Sequence, residues 1–265
     1  MTLSPAEVKQ FDELGYLFFP NCFNEEEIAL LRDDAEAILK LDRQEIWREK
    51  SGAPRTAFAA HTFNETFRLL ASHPRLIEPL RQLFSEDVYV HQFKINAKAA
   101  FEGDVWQWHQ DYGTWKADDD MPEARAMNLA VFVDEVNEFN GPLWFIPKSH
   151  KKGAIEAKHD LTTTSYPLWV IDNDTIAKLV KQGGIVAPKG GPGSAIFFHG
   201  TLVHGSPPNM SPWDRQIIYV TYNAVSNAIR RFKRPAHIAH RDFTPIDPWQ
   251  DDAVLRAARR KAAAE

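Results

Sequence analysis

The stretch WQWHQDYGTW, residues 106–115, sets His109 and Asp111 two positions apart among three tryptophans and a tyrosine. Side chains at alternate positions of a strand point to the same face, so this pair is expected to chelate one ion if the segment is extended. A third ligand is needed, and the sequence offers His204 in TLVHGSPPN (201–209), with His199 as its rival. Two histidines and one carboxylate form the facial triad of non-haem iron(II) oxygenases, which leaves coordination positions open. The pattern therefore predicts a metal site within an aromatic-rich segment.

Several short segments around this pair have the composition of β-strands and are separated by Gly and Pro turn signals. The strand candidates are VYVHQFKINAKA (88–99), MNLAVFVDEV (127–136), GPLWFIP (141–147), GSAIFFHG (193–200) and QIIYVTYN (216–223). Many short strands joined by such turns are typical of a sandwich or a barrel. The pattern alone does not choose between the two.

Helices are predicted before this β region. Ser4 with Glu7, and Asn24 with Glu27, have the spacing of a capping box and mark two helix starts. The first helix is expected to end near Gly15, and a short strand, YLFFP (16–20), is expected to follow it.

Further elements complete a single-domain interpretation. Helices are predicted at 74–84, where Pro79 lies inside the segment, and at 174–182. The charged stretch 40–55 is predicted to be a mobile loop, and residues 40–60 are a candidate lid. We expect one domain over residues 1–265, with a helical cover at 1–85, a β core from about 86 to 230 and a helical tail at 247–265.

Composition and charge constrain the function only loosely. The 265 residues are 44% hydrophobic, which is enough for a sizeable core. A formal net charge of −5 argues against nucleic acid, because nucleic acid attracts a basic face. The one cysteine, Cys22, excludes a disulfide within the chain, and no apolar run approaches the length of a membrane span. We therefore expect a cytoplasmic monomer or homodimer that binds neither nucleic acid nor membrane.

A cation and a hydroxyl follow the third ligand candidate. Arg215 precedes the QIIYVTYN strand directly, and Ser211 lies four residues before Arg215. An arginine at this place would grip a carboxylate in bidentate fashion. A metal triad with a nearby carboxylate anchor is what a 2-oxoglutarate site requires, because the 2-oxo acid end chelates iron and the distal carboxylate needs a cation.

The sequence contains a second His-x-Asp motif, His240-Arg241-Asp242. This motif also occurs in the catalytic loop of protein kinases, but no Gly-rich loop or Asp-Phe-Gly motif accompanies it here. We interpret it as a solvated turn or a salt-linked surface site. Ligand types alone would also fit a zinc hydrolase, for which no water-activating base can be placed.

Four segments together resemble the phytanoyl-CoA dioxygenase superfamily, from about residue 10 to about 240. They are VYVHQFKINAKAAFEGDVWQWHQDYGTW, NEFNGPLWFIPKSHKKG, QGGIVAPKGGPGSAIFF, and VHGSPPNMSPWDR followed by VTYNAVSNA. Within this superfamily they are most similar to bacterial ectoine hydroxylases and free L-proline trans-4-hydroxylases. The resemblance implies a mainly β fold with helical cover, the double-stranded β-helix or cupin-like jelly roll, and an Fe(II)- and 2-oxoglutarate-dependent dioxygenase that uses O2.

The resemblance also implies roles for individual residues. The residues that match the family's iron ligands are His109, Asp111 and His204. Arg215 matches the arginine that binds the distal carboxylate of 2-oxoglutarate, and Ser211 matches its hydroxyl partner. Gln92 and Asn96 lie on a strand whose polar side chains line the cosubstrate and substrate pocket in relatives.

On the substrate side the resemblance concerns three residues. Trp115 falls where a tryptophan helps to enclose the substrate. Arg55 in PRTAF matches an arginine near the mouth of related sites and is expected to contact the substrate carboxylate. A cationic ring nitrogen of the substrate would lie against Trp115 or Tyr112 by cation–π attraction, worth about 0.5–2 kcal/mol.

The chain departs from the ectoine hydroxylase pattern at the metal motif. Relatives of that group have a motif close to WHSDFETWHxEDGMP, whereas residues 108–122 read WHQDYGTWKADDDMP. WHQDY and VHQFKINAKA are nearer the proline hydroxylase pattern, which favours a small amino-acid-like substrate such as L-proline or L-pipecolate. Ectoine, another natural-product amino acid and an acyl thioester remain alternatives, with KSHKKG (148–153) as the short basic segment that the last would need. A non-catalytic jelly roll that binds a metal or a small ligand is the alternative outside the enzymes.

Overall fold

A computed structural model describes residues 1–252, 254 and 256 of the chain. Within these residues the helices are α1 Pro5–Leu14, α2 Glu25–Leu39, α3 Glu65–Ala71, α4 Pro74–Phe84, α5 Asp111–Asp119 and α6 Asn173–Gly183. The strands are β1 Tyr16–Phe19, β2 Ile46–Arg48, β3 Pro54–Phe58, β4 Val88–Lys98, β5 Trp106–His109, β6 Ala126–Phe132, β7 Trp144–Phe145, β8 Lys158–Asp160, β9 Leu168–Val170, β10 Ala195–His199, β11 His204–Ser206 and β12 Arg215–Ala224. No helix in this described part combines the length and the apolar character that crossing a bilayer requires.

The strands form two antiparallel sheets, which together make the double-stranded β-helix expected from the sequence resemblance. The large sheet has the order β1-β10-β6-β12-β4-β3-β2, and the small sheet has the order β7-β11-β5-β9-β8. The longest pairing joins β12 to β4, from Arg215 opposite Lys98 to Ala224 opposite Val88. The predicted β core is therefore confirmed as a jelly roll.

Alternate residues of the large sheet pack into two different apolar clusters. On β10, Phe197 joins the cluster that includes residues of α2, α3 and α4, such as Leu31. Its neighbours Ile196 and Phe198 join a second cluster with Phe145 of the small sheet. This alternation follows from the period of two in a strand, and it separates an outer face under the helices from an inner face toward the small sheet.

The inner face of β4 is polar where the outer face is apolar. Phe93 and Ile95 belong to the cluster under the helices, whereas Gln92, Lys94 and Asn96 line a cavity between the sheets. All three polar side chains are buried. Because buried polar groups cost free energy unless they have partners, this strand points to a functional interior.

The predicted helix starts are confirmed. Ser4 and Glu7 form a reciprocal capping box before α1, which ends at Gly15 with a φ of 84°. Asn24 and Glu27 do the same before α2. Left-handed φ is the conformation that favours glycine, which explains why the helix stops there.

Two expectations for the N-terminal region need correction. The charged stretch 40–55 is not simply a loop, because it contains β2 and the start of β3. Its charges are partly internal: Arg55 Nη1 lies 2.8 Å from Glu49 Oε2, and both side chains are buried. The helical cover at 1–85 also contains β1, β2 and β3, which form the two edges of the large sheet.

The predicted helical tail at 247–265 is not borne out at its start. Residues 247–250 have no regular secondary structure. Residues 253, 255 and 257–265 of that segment lie outside the described residues. Two helices of the described residues were not predicted from the sequence. They are α3 and α5, and α5 begins inside the stretch WQWHQDYGTW.

Candidate metal centre

Strand register brings the two histidine ligand candidates together. In the small sheet His109, the last residue of β5, is directly opposite His204, the first residue of β11. Directly opposed residues of an antiparallel pair have neighbouring side chains. The two imidazole rings have centroids 4.1 Å apart.

The carboxylate reaches the same point by a different route from the one that we expected. Asp111 is not on an extended strand with His109: it is the first residue of α5, and Gln110 between them is the N-cap. Asp111 Oδ1 lies 3.7 Å from His109 Nε2, and Asp111 Oδ2 lies 3.5 Å from His204 Nε2. The ligand atoms of the three residues all lie within 4.8 Å of one another.

Backbone carbonyls orient both imidazoles. His109 Nδ1 is 2.6 Å from the carbonyl oxygen of Gln107, and His204 Nδ1 is 2.9 Å from that of Leu202. An Nδ1–H that donates to a carbonyl leaves Nε2 unprotonated and available as a metal ligand. The donor set of two Nε2 atoms and a carboxylate fits iron(II) of the facial-triad type.

Burial and local charge keep the three groups in their metal-binding forms. Burial lowers the pKa of His109 to about 3 and also lowers the pKa of His204. Burial alone would raise the pKa of Asp111, but the Lys94 ammonium and the hydrogen bond from Asn128 help to lower it to about 2. Neutral imidazoles and an ionised carboxylate are the forms that bind a metal.

The carboxylate has a hydrogen-bonded support that the sequence reading missed. Asn128 Nδ2 donates to Asp111 Oδ2 at 2.6 Å, and Thr221 Oγ1 donates to Asn128 Oδ1 at 2.5 Å. The sequence signal was present for Asn128, which is the polar residue of the otherwise apolar strand β6. Thr221 gave no such signal, because β12 also contains Arg215, Gln216 and Asn223.

The rival histidine and the second His-x-Asp motif lie elsewhere. His199 Nδ1 accepts the backbone N–H of Thr201 at 3.1 Å. The ring of His240 packs against that of His61, with centroids 4.6 Å apart. Asp242 is exposed, and its side chain accepts the backbone N–H of Thr244. Neither joins the group of ligand atoms around Asp111.

One cavity contains the three ligand candidates and Arg215. The Arg215 side chain is only 1% exposed, and within the described residues its Nε and Nη1 have no hydrogen-bond partner. Burial lowers the pKa of Arg215, and the neighbouring Tyr219 opposes that shift. A buried guanidinium with unused donors is suited to a carboxylate ligand, so the cavity fits a dicarboxylate beside a metal.

Three further candidates from the sequence also line this cavity: Gln92, Asn96 and Trp115. Gln92 Nε2 donates to the carbonyl of Ile238, and Asn96 Oδ1 accepts the Thr56 hydroxyl. Trp115 is 1% exposed, so it packs in the core as well as forming a wall.

The structure does not bring Arg55, Ser211 or Tyr112 to the cavity lining. The Arg55 guanidinium is paired with Glu49 and lies over the ring of Trp106, at 4.1 Å from its centroid. Ser211 Oγ donates to Asn209 Oδ1 within a turn. The Tyr112 hydroxyl donates to the backbone carbonyls of Met121 and Pro122. These three make local contacts and do not line the cavity. Their expected ligand contacts stay predictions.

Several lining residues were not predicted or were given little weight. Lys94 Nζ lies 5.6 Å from the ring centroid of Tyr219, and burial lowers the pKa of Lys94. Arg234 lines the cavity and pairs with Asp119, with 2.8 Å between Nε and Oδ1. Tyr166 is partly buried and contacts the rings of Trp47 and Trp106. Lys94 was visible as a lysine in the predicted strand VYVHQFKINAKA, whereas Arg234 and Tyr166 lie in segments without a periodic pattern.

The chain is similar to a family model and to characterised proteins over most of its length. The model for phytanoyl-CoA dioxygenase matches residues 11–217. An ectoine dioxygenase of Bordetella bronchiseptica is 35% identical over 265 residues, which cover 93% of this chain and 85% of that protein. An L-proline trans-4-hydroxylase of Streptomyces griseoviridis is 33% identical over 251 residues, which cover 91% of this chain and 94% of that protein.

A solved structure supports the same relationship. The crystal structure of EctD from S. alaskensis with 2-oxoglutarate and 5-hydroxyectoine has a TM-score of 0.84 and 33% sequence identity. The match covers 93% of this chain and 87% of that chain.

Proposed function

This chain belongs to the phytanoyl-CoA dioxygenase family, and from that membership we propose that it hydroxylates a small free cyclic amino acid of the L-proline or L-pipecolate type. It is an iron(II)- and 2-oxoglutarate-dependent dioxygenase. The observation that supports the site assignment is a single cavity in which a His-Asp-His group and a buried arginine with unused donors lie together. That combination matches a cosubstrate with one chelating end and one distal carboxylate.

In this proposal each group has one task. His109 Nε2, His204 Nε2 and Asp111 hold iron(II), and Arg215 binds the distal carboxylate of 2-oxoglutarate. Bound iron supplies the activation of O2 that couples conversion of 2-oxoglutarate to succinate and CO2 with hydroxylation of a substrate C–H bond. The buried walls exclude water, and the fixed side chains hold the substrate carbon in place.

The substrate end of the cavity combines a cation with an aromatic wall. Lys94 is 8% exposed and faces the cavity, where its ammonium is available to a substrate carboxylate. Trp115 is available to a cationic ring nitrogen by cation–π attraction, worth about 0.5–2 kcal/mol. Gln92 and Asn96 line the same cavity and add polar groups to it. A cyclic amino acid carries both charges that this arrangement would recognise.

Ectoine is the second candidate substrate, because the ectoine dioxygenase relative is 35% identical to this chain. The metal motif favours a substrate of the L-proline or L-pipecolate type, since residues 108–122 depart from the ectoine hydroxylase pattern at Gln110, Tyr112 and Gly113. We propose that residues 1–265 form one dioxygenase domain. The cytoplasmic location and the monomeric or homodimeric state stay predictions.

The experiment that tests the function is a substrate panel. Protein loaded anaerobically with iron(II) and 2-oxoglutarate is exposed to air with L-proline, L-pipecolate or ectoine. We expect succinate together with a mass gain of one oxygen in L-proline or L-pipecolate. Product from ectoine alone would overturn the preferred substrate class and leave the chemistry intact.

The matched control is Asp111→Asn, which keeps the side-chain size and removes the anionic ligand. We expect neither succinate nor product above the metal-free background. Turnover by this variant at the parent rate would overturn the assignment of Asp111.

A further inference from the structure

We propose that Asn128 and Thr221 form a positioning pair that presents the Asp111 carboxylate to the metal through Oδ1. This inference rests on the proposed iron site. It concerns two residues that do not belong to the ligand set and lie on the opposite sheet from the histidines. Their contacts link the large sheet to the carboxylate at the start of α5.

Sheet geometry fixes the pair. Asn128 of β6 and Thr221 of β12 are directly opposite in the ladder that joins these two central strands. Asn128 is 1% exposed and Thr221 is 0% exposed. Because both backbones are held by neighbours on each side, the amide is delivered to Asp111 by a rigid framework rather than by a loop.

The hydrogen bonds have one consistent direction. Thr221 Oγ1 donates to Asn128 Oδ1, so the amide oxygen is occupied and Nδ2 is turned toward Asp111 Oδ2. The opposite amide orientation would place Oδ1 against a carboxylate oxygen, which is repulsive. The threonine hydroxyl therefore stabilises the one amide orientation that supports the carboxylate.

The chemical consequence concerns the two carboxylate oxygens of Asp111. Oδ2 accepts the Asn128 N–H at 2.6 Å, a short charge-assisted bond, and Oδ1 is left as the better metal ligand. A carboxylate that binds through one oxygen occupies one coordination position. The positions that the cosubstrate and O2 require then stay open.

A purely structural role would not favour these residue types. On the same face, the neighbours of Asn128 on β6 are Ala126 and Ala130, and those of Thr221 on β12 are Tyr219 and Asn223. Burying an amide and a hydroxyl among such residues costs free energy unless their hydrogen bonds are made. For the amide of Asn128, the hydrogen-bond partner that offsets this cost is the carboxylate of Asp111, a metal ligand candidate.

The test measures iron(II) affinity under anaerobic conditions, without substrate or turnover, by competition with a coloured chelator. Asn128→Ala removes the amide, and Thr221→Val removes only the hydroxyl while it keeps the side-chain shape. Loss of a group that orients a metal ligand typically weakens binding by about 10- to 100-fold. We expect that range for Asn128→Ala, about tenfold for Thr221→Val, and recovery of parent affinity in Thr221→Ser.

The matched control is Tyr222→Phe, which deletes the hydroxyl of the next residue on β12. That hydroxyl donates to the carbonyl of Ala71, away from the metal site. We expect this variant to lose thermal stability and to keep the parent iron affinity. An equal loss of iron affinity in Tyr222→Phe and Thr221→Val would show that general strand damage is responsible and would overturn the inference.

Two further results would also overturn the positioning role. One is parent-like affinity in both Asn128→Ala and Thr221→Val, and the other is a loss in Thr221→Val that Thr221→Ser does not restore. Because Thr221→Val and Thr221→Ser are small changes, the pair remains informative if Asn128→Ala does not fold. Failure of the iron site itself would be seen separately, as the absence of tight iron binding by the parent protein.

Discussion

The chain contains the motif His-x-Asp twice, at His109–Asp111 and at His240–Asp242, and the two copies have different structures. In the first copy the histidine ends a strand and the aspartate begins a helix, so both side chains turn into the interior. In the second copy the histidine is buried against His61, whereas the aspartate is exposed. The same spacing thus serves a ligand set in one place and, in the other, a buried ring contact at His240 followed by an exposed turn at Asp242.

Register and charge explain the difference between the two copies. The first copy lies opposite His204 in the small sheet, and the buried cations Lys94 and Arg215 line the same cavity. The second copy has no strand pairing, and Asp242 is bound by the backbone of its own turn. A three-residue motif therefore becomes a metal site only where the sheet supplies a third ligand across from it.

The largest expected effect concerns that third ligand. His204→Ala removes one of the two imidazoles and should abolish hydroxylation, because two ligands hold the metal too loosely. His199→Ala is the matched control, since His199 is the other histidine of this segment and bonds only locally to Thr201. Succinate and hydroxylated product are measured for both variants. Loss in His199→Ala with retention in His204→Ala would reverse the ligand assignment.

The next effect concerns the cation beside each motif. Arg215→Ala removes the proposed carboxylate anchor, and truncation of one partner of a buried charge pair typically costs about 2–5 kcal/mol. That corresponds to a rise of roughly 30- to 4,000-fold in the KM for 2-oxoglutarate. Arg241→Ala, beside the second motif, is exposed and should leave this KM unchanged. Equal KM values in the parent and in Arg215→Ala would exclude Arg215 as the anchor.

Protonation of buried histidines at the second motif is expected to lower the stability of the fold at acidic pH. Burial lowers the pKa of His61 to about 4 and the pKa of His240 to about 3, from a usual value of 6.5. Below about pH 6.5 the unfolded chain therefore binds protons that the folded chain does not. The free energy of unfolding should fall as the pH drops toward 4, by up to about 1.4 kcal/mol per pH unit for each histidine.

His61→Phe removes one of these two titrations and preserves a ring against Phe93, on which His61 stacks. Its thermal unfolding temperature, measured on metal-free protein from pH 7 to pH 4, should decline less steeply than that of the parent. Parallel pH profiles for the two proteins would exclude a contribution from His61.

The smallest effect is expected at Ser211. Its hydroxyl donates to Asn209 at 2.7 Å and accepts the N–H of Trp213 at 3.3 Å. Ser211→Ala should cost about 1 kcal/mol and lower the unfolding temperature by about 2–4 °C. The KM for 2-oxoglutarate should stay within about twofold of the parent value. A rise of about tenfold at unchanged stability would instead place this hydroxyl on the cosubstrate.

Much of the fold was predictable because local rules determine it. Capping boxes at Ser4 and Asn24 and the glycine after α1 fixed the early helices, and alternating apolar residues marked β4 and β12. The charged stretch 40–55 was misread because the buried pair of Glu49 and Arg55 is invisible to a local pattern. Charges look solvated in a sequence unless the distant chain that covers them is known.

The candidate site shows the same limit. His109, Asp111, His204 and Arg215 were identified from residue types, but the turn into a helix at Asp111 was not. DYGTWKADD contains a glycine and two aromatic residues, which weaken a helical pattern. Asn128 was missed because its role depends on a strand partner far along the chain. The pairing of Arg55 with the buried Glu49 was also not predictable, because an arginine near a site pairs as readily with a glutamate as with a ligand.

The most direct test of the account measures iron(II) stoichiometry in the parent, Asp111→Ala and Asp242→Ala by anaerobic equilibrium dialysis. These variants make the same change in the two copies of the motif. We predict one tightly bound iron per chain in the parent and in Asp242→Ala, and a clear loss in Asp111→Ala. Retention of tightly bound iron by Asp111→Ala, or its loss from Asp242→Ala alone, would contradict the assignment of the metal centre.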